Sequence, residues 1–274
     1  MAVDRYVVVG NPIAHSKSPQ IHAAFAAQTG QNLSYERLLA PLDGFAASVA
    51  AFRADGGKGL NVTVPFKQEA WQLCDELSER AQLAEAVNTI QLEDGRIVGD
   101  NTDGVGLCRD ICHNLQQSLQ GKRILLLGAG GAARGVILPL LAEHPACLTI
   151  ANRTASKAEQ LAQQFRQHGT INASSYEALA GQTFDVVINA TSASLSDALP
   201  PLPAGCFAPG SLAYDMMYGK GLTPFLLFAQ QQGAAQLADG LGMLVEQAAE
   251  AFRIWRGVRP ETAPVIHSLR ASLC

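Results

Sequence analysis

Hydrophobic and polar positions along the chain form short apolar runs that alternate with segments of helical spacing. Arg5-Tyr-Val-Val-Val-Gly10 reads as a buried strand, followed by the polar loop Asn11 to Ser18 and a helix opened by Pro19. Leu33 to Ala40 predicts a second strand. Between Asp43 and Ala54 the apolar positions 45, 49 and 52 keep a helical spacing, which Gly56-Gly57 ends. Gly59-Leu-Asn-Val-Thr-Val-Pro65 alternates as a strand, with Leu60, Val62 and Val64 on one face and Asn61 and Thr63 on the other. Helices are predicted from Phe66 to Leu77 and from Glu79 to Glu85. Asp94-Gly95 lies between two strand-like runs and predicts a tight hairpin. Gly99-Asp-Asn-Thr-Asp-Gly104 then leads into a helix expected from Val105 to Leu119.

From Lys122 the βα alternation is regular. Strands are predicted at 123–127, 147–151, near 171, 184–191, 211–216 and 235–238, with helices at 131–143, 155–167 and 223–232. A loop rich in proline (Pro200, Pro201, Pro203, Pro209) interrupts them. This is the pattern of a doubly wound parallel sheet, so the chain is expected to be α/β with two domains. Gly240 to Trp255 and Ala263 to Leu273 read as two helices with no strand to follow, expected to pack back on the first domain. The expected division is 1–103 for a substrate-binding domain, 104–239 for a Rossmann-type nucleotide domain, and 240–274 for the returning helices.

Composition narrows the function. With a net charge of −4 and a pI near 5.9, the chain has no general surface for nucleic acid or anionic lipid. The start enters a strand directly and no apolar run approaches about 18 residues, so no membrane span is expected and the protein reads as cytoplasmic. Six cysteines show no CxxC spacing; Cys108 and Cys112 with His113 lack further ligands nearby, so buried free thiols and no metal are expected.

The stretch Ile124-Leu-Leu-Leu-Gly-Ala-Gly-Gly-Ala-Ala-Arg134 carries the clearest chemistry. A buried strand turns into a helix through small residues. Gly128 suits the tight turn, Gly130 and Gly131 leave room for a pyrophosphate, and Ala133 permits close packing of helix on strand. The first amides of the helix then face the anion. About 20 to 25 residues on, where NAD sites place a carboxylate for the ribose, the chain has Asn152-Arg153-Thr154 with Lys157 a turn later. Two cations with no acid suit a 2′-phosphate, hence NADP. Thr154 as an ordinary N-cap and Lys157 as a solvated lysine are the plain alternative.

Several polar residues of the first domain suggest a substrate site. Ser16 and Ser18, two apart at a helix start, offer hydroxyls and amides to a carboxylate, although Ser18 equally suits capping that helix. Asn61 and Thr63 share a strand face that could simply be solvated, yet Lys67 follows just beyond Pro65, placed to reach a cleft. Asn88 and Asp103 come from separate turns and have turn-residue explanations too. Gln247 shares a helical face with Met243, Ala251 and Ile254, where an amide needs a partner.

Taken together, Ser16-Lys-Ser18, Leu60-Asn-Val-Thr-Val-Pro-Phe-Lys67, Ala86-Val-Asn-Thr89, Asn101-Thr-Asp-Gly104, Gly128-Ala-Gly-Gly-Ala132, Asn152-Arg-Thr154, Asn189-Ala-Thr-Ser192 and Asp239-Gly-Leu-Gly-Met243 resemble the shikimate dehydrogenase family over nearly the whole chain. The resemblance implies NADPH-dependent reduction of 3-dehydroshikimate to shikimate, with an N-terminal substrate domain facing a Rossmann domain. It implies that Ser16 and Ser18 hold the substrate carboxylate and that Asn61, Thr63, Asn88 and Gln247 read ring hydroxyls. Lys67 and Asp103 would flank the reacting carbon, Lys67 as general acid/base and Asp103 as its orienting partner. Gly128, Gly130, Gly131 and Ala132 would meet the pyrophosphate, and Asn152, Arg153, Thr154 and Lys157 the 2′-phosphate. Thr191, Met216, Gly240 and Met243 would line the nicotinamide, and Tyr218 would reach the substrate. The implied partners are the small-molecule substrate and NADP, with no metal, in a monomer or homodimer. After Ser192 the chain has Ala-Ser-Leu where related sequences often carry Ser-Gly-Leu or Pro-Leu-Gly, so a different loop shape is expected there. A quinate/shikimate dehydrogenase paralogue and a non-catalytic ligand-binding module on the same fold are the rival readings. Retention of both Lys67 and Asp103 speaks against the second.

Overall fold

The computed structural model describes residues 3–191 and 199–273. The chain divides into two compact units, Met1–Gly106 with Val245–Val265, and Leu107–Leu244 with Ile266–Cys274. In chain order the first unit contains β1 (Asp4–Gly10), α1 (Ser18–Thr29), β2 (Leu33–Leu39), α2 (Phe45–Ala54), β3 (Gly57–Val62), α3 (Lys67–Leu73), β4 (Glu76–Leu77), α4 (Glu79–Ala84), β5 (Thr89–Glu93) and β6 (Arg96–Asp100). Its sheet runs β2-β1-β3-β5-β6-β4, parallel through β2, β1 and β3 and antiparallel from β3 to β5 to β6. Alternation along β1 sends Val7 and Val9 to a core with Phe45, Leu60 and Phe66, and Tyr6 and Val8 to the opposite face with Ile13 and Tyr35. The hairpin at Asp94-Gly95 forms with φ of 46° and 82°, the left-handed pair that a two-residue turn requires.

Three local expectations give way here. The helix from Phe66 stops at Leu73, because Cys74 is extended and the Asp75 N–H donates to the Ile97 carbonyl at 2.8 Å, turning Glu76–Leu77 into an edge strand beside β6. β3 ends at Val62, so Val64 does not join Leu60 and Val62 in the core and is exposed. The helix expected from Val105 to Leu119 is α5 (Asp103–Arg109) followed by a π-helical turn at 110–114, where Asp110 is drawn into side-chain bonding with Tyr214 and Asn114.

The second unit holds β7 (Arg123–Leu127), α6 (Gly131–Ala142), β8 (Cys147–Ala151), α7 (Ala155–Phe165), β9 (Ile171–Ser174), β10 (Phe184–Asn189), β11 (Phe207–Asp215), α8 (Pro224–Gln231) and β12 (Gln236–Asp239). All neighbours are parallel in the order β12-β11-β10-β7-β8-β9, the doubly wound arrangement of dinucleotide-binding sheets. Ile124 to Leu127 are fully buried, because helices cover both faces of a central parallel strand. Pro209 lies within β11 rather than in the loop, at an irregularity where the pairing with β10 skips from Phe207 to Leu212. The strand order reverses between β7 and β10, and ligands of such sheets bind beyond the strand ends at that point. The divergent loop after Ser192 falls outside the described residues.

α9 (Leu241–Arg256) joins the first unit from Val245 onward. α10 (Ala263–Leu273) divides: from Ile266 it belongs to the second unit, where Arg270 makes a bidentate ion pair with Asp239 at the end of β12. The return to the first unit is therefore carried by α9 and the segment after it, not by the whole of α10.

Candidate active site

The first unit gathers Lys67, Asn88, Asp103 and Gln247 into one hydrogen-bonded group. Lys67 starts α3 just after the Val64-Pro65 turn, and its Nζ donates to Asp103 Oδ2 at 2.6 Å. Asp103 starts α5, fixed by its own N–H on Asn101 Oδ1 at 3.1 Å, while Asn101 donates to the Ala86 carbonyl. The other Asp103 oxygen accepts from Asn88 Nδ2 at 2.7 Å. The carboxylate is thus held from both sides, and only 15% of its side chain is exposed against 34% for Lys67. Lys67 is the member of the pair more open to solvent.

Asn88 is oriented by buried hydroxyls. Its Oδ1 accepts from the Thr102 N–H at 2.9 Å and from Thr89 Oγ1 at 2.8 Å. Its Nδ2 reaches Gln247 Oε1 of α9 at 3.4 Å. Asn61, also buried, donates to the Asn88 carbonyl and to Thr89 Oγ1 and accepts from the Tyr35 hydroxyl at 2.7 Å. Thr63 is half-buried beyond the end of β3, its methyl against Gly10 and its N–H on the Val9 carbonyl. At α1 the capping differs from the plain reading of Ser18: Ser18 is the first helical residue and buried, and its N–H donates to Ser16 Oγ at 3.3 Å. Arg37 donates twice to the Ser16 carbonyl, holding the loop that presents both serines.

Sequence reasoning missed Tyr35, Thr89 and Thr102. The two threonines sit inside the quoted motifs beside Asn88 and Asp103, and their full burial is what converts them from turn residues into orienting groups. Tyr35 had only its alternation along β2 to mark it.

The second unit builds an anion-accepting edge. Gly128 takes φ 106°, a conformation for glycine, with Ala190 and Thr191 of the neighbouring strand end closest to the Cβ it lacks. A Cβ at Gly130 or Gly131 would meet nothing within 4 Å, so the space above the turn is open. Gly130 is the N-cap of α6, no acid stands in the first turn, and the amides of Gly131, Ala132 and Ala133 precede the helix's first i→i+4 bond. That cradle fits a pyrophosphate.

After β8, Asn152 Nδ2 donates to the Thr154 carbonyl at 3.0 Å and closes the turn, while Arg153, Thr154 and Lys157 are exposed. Thr154 occupies the N-cap of α7 but its side chain makes no capping bond there, and the first turn carries no acid. This donor set fits a phosphate monoester.

Thr191 bonds Asn189 Oδ1 at 2.7 Å, and Asn189 donates to Asp215, which also accepts from Met217 N–H and Thr223 Oγ1. The fully buried Asp215 therefore ties together the strand ends that carry Thr191 and Met216. Gly240 passes so close to Met216 that an added Cβ would lie 2.2 Å from the Met216 carbonyl oxygen. Met243 is buried in the first turn of α9. Tyr218 is half-buried, and burial, then the charge of Asp239, push its phenol up, so it stays a proton donor. Among the described residues no group of three or more His, Cys, Asp or Glu could hold a metal, and no helix is long and apolar enough to cross a membrane.

Comparison with known proteins accounts for both halves of this arrangement. Residues 8–90 match the shikimate dehydrogenase substrate binding domain, 110–196 the shikimate / quinate 5-dehydrogenase family, and 240–270 the shikimate 5'-dehydrogenase C-terminal domain. A shikimate dehydrogenase (NADP(+)) of Nitrosospira multiformis is 65% identical over 270 residues, 98% of either chain. The crystal structure of an Ael1 enzyme from Pseudomonas putida superposes with a TM-score of 0.94 at 56% identity, covering 97% of this chain and 98% of that one. Shikimate 5-dehydrogenase from Thermus thermophilus, solved with NADP(H) and shikimate, gives a TM-score of 0.87 at 32% identity, covering 99% and 100%. With matches across both units and relatives of this identity over nearly its full length, the chain belongs to the shikimate dehydrogenase family.

Proposed function

We propose that this chain catalyses the reversible reduction of 3-dehydroshikimate to shikimate with NADPH, using Lys67 as the proton donor and acceptor. The observation that carries the reading is the Lys67–Asp103 pair at 2.6 Å, braced by Asn88 and Gln247, with Lys67 the more exposed partner. When bound, NADPH supplies the hydride that adds to the substrate carbonyl carbon. As that C–H bond forms, the carbonyl π electrons move onto oxygen. The Lys67 ammonium stabilises this charge and passes a proton to the oxygen, completing the hydroxyl. In the oxidative direction neutral Lys67 takes the hydroxyl proton. Asp103 does not exchange the proton; it holds the amine in position, and Asn88 holds Asp103.

Ser16 and Ser18 offer hydroxyls and the start of α1 to the substrate carboxylate, while Asn61, Thr63, Asn88 and Gln247 read the ring hydroxyls. In the second unit Gly128, Gly130, Gly131 and Ala132 would hold the pyrophosphate. Asn152, Arg153, Thr154 and Lys157 would take the 2′-phosphate. Thr191, Met216, Gly240 and Met243 would frame the nicotinamide, with Tyr218 donating to the substrate. Lys67→Ala should lower kcat by about 10²- to 10⁴-fold, with a much smaller change in substrate KM. Near-normal kcat in that variant would remove Lys67 from the chemistry.

A further inference from the structure

Asn61 has few hydrogen-bonding positions left. A primary amide offers two N–H hydrogens and two acceptor lone pairs. Both hydrogens of Asn61 are engaged, on the Asn88 carbonyl at 3.1 Å and on Thr89 Oγ1 at 3.2 Å. One lone pair of Oδ1 takes the Tyr35 hydroxyl at 2.7 Å. At most one acceptor position remains for a ligand, and its direction is set by the group that occupies the other.

We propose that Tyr35 is a positioning residue of the substrate site, whose phenol fixes the amide of Asn61 so that Oδ1 presents one acceptor to a substrate hydroxyl. The inference rests on the reading of Asn61 as a substrate-binding residue. Tyr35 is suited to this. It is buried on β2, and its ring stacks on His22 of α1 with centroids 4.1 Å apart and planes within 5°. Phe25 and Phe252 pack on His22 in turn. Burial holds the His22 imidazole at about 3, so the stack carries no charge at neutral pH, and burial pushes the phenol well above its ordinary value, so it remains a donor. Neither ring nitrogen of His22 makes a hydrogen bond of good geometry, although Asn61 lies beside it; the ring serves Tyr35 by packing. The same phenol also lies within reach of Ser18. One hydroxyl thereby links the serine placed for the substrate carboxylate with the amide placed for a ring hydroxyl, entirely within the first unit.

The test is Tyr35→Phe, which keeps the ring and the stack and removes only the hydroxyl, crossed with Asn61→Ala. Tyr35→Phe should raise KM for shikimate about tenfold, the effect of one misdirected hydrogen bond, and leave KM for NADP unchanged. Asn61→Ala should raise KM for shikimate as well, and the double variant should fall clearly short of the product of the two single effects, because the tyrosine acts mainly through the amide and only the smaller part through Ser18 remains. If Asn61→Ala raises KM but Tyr35→Phe does not, the positioning role is wrong and the substrate reading of Asn61 stands. Independent, multiplying effects of the two substitutions would also overturn the proposal, as would equal losses toward shikimate and NADP. Unchanged KM in Asn61→Ala would remove the substrate reading and the proposal with it.

Discussion

Replacing Glu250 with glutamine tests how α9 is held to the first unit. Glu250 is buried and faces three guanidinium groups: Arg80 at 3.2 Å, Arg253 at 2.8 Å and Arg259 at 2.7 Å. Burial alone would raise its carboxyl, but hydrogen bonds and charge from Arg253 and Arg80 outweigh burial and bring it from 4.5 down to about 2. That depression corresponds to ~3 kcal/mol of stability. Because Arg253 is half exposed, part of it is screened by solvent, leaving about 2 kcal/mol. Glu250→Gln strands no buried cation, since Arg80 keeps its bidentate bond to Asp100, Arg259 keeps Glu246 and Arg253 is half exposed to water, so a larger cost is not expected. The folded carboxyl lies below its unfolded value. Its contribution is therefore complete above about pH 4.5 and is lost as the pH falls through about 2. Trp71 and Trp255, the protein's two tryptophans, both lie in the first unit, so urea unfolding followed by tryptophan fluorescence reports on that unit. The gap in unfolding free energy between wild type and Glu250→Gln should be about 2 kcal/mol at pH 7 and fall to less than half by pH 3. A gap that stays constant between those values would refute the electrostatic account and leave only packing.

The second unit makes two further predictions. Arg153→Ala should weaken NADPH at least about tenfold, the worth of a charge-assisted hydrogen bond, with little effect on NADH; equal losses in a titration of both would refute the 2′-phosphate assignment. Gly240→Ala must push a methyl group into the Met216 carbonyl, so unfolding should be easier by about 1–3 kcal/mol and KM for NADPH higher. A variant with wild-type stability and KM would show that the two strand ends can part without consequence.

The second unit was the more legible half because its physics is local. Ile124 to Leu127 form a continuous apolar run, and Gly128 to Gly131 mark the turn within the same few residues. The polar group of the first unit was legible only as residue types. That Asn88 bonds Asp103, Thr102 and Gln247 at once depends on chain segments 14 to 159 positions apart, brought together by β5, α5 and α9. Tyr35 escaped notice because a tyrosine on a strand is ordinary; only its buried hydroxyl, aimed at Asn61, sets it apart. The departures in the helices share one cause. Leu73 ends α3 and a π-helical turn replaces the end of a predicted helix because single contacts, Asp75 with Ile97 and Asp110 with Tyr214, override a helical pattern that continues in the sequence. In the same way the latter part of α10 goes to the second unit, where Arg270 finds Asp239.

Following reduced-cofactor absorbance while crossing shikimate and quinate with NADP⁺ and NAD⁺ tests the central claim most directly. Shikimate with NADP⁺ should give the highest kcat/KM of the four pairs, with NAD⁺ weaker because it offers Arg153 and Lys157 no 2′-phosphate. No shikimate-dependent reduction of NADP⁺ would contradict the account.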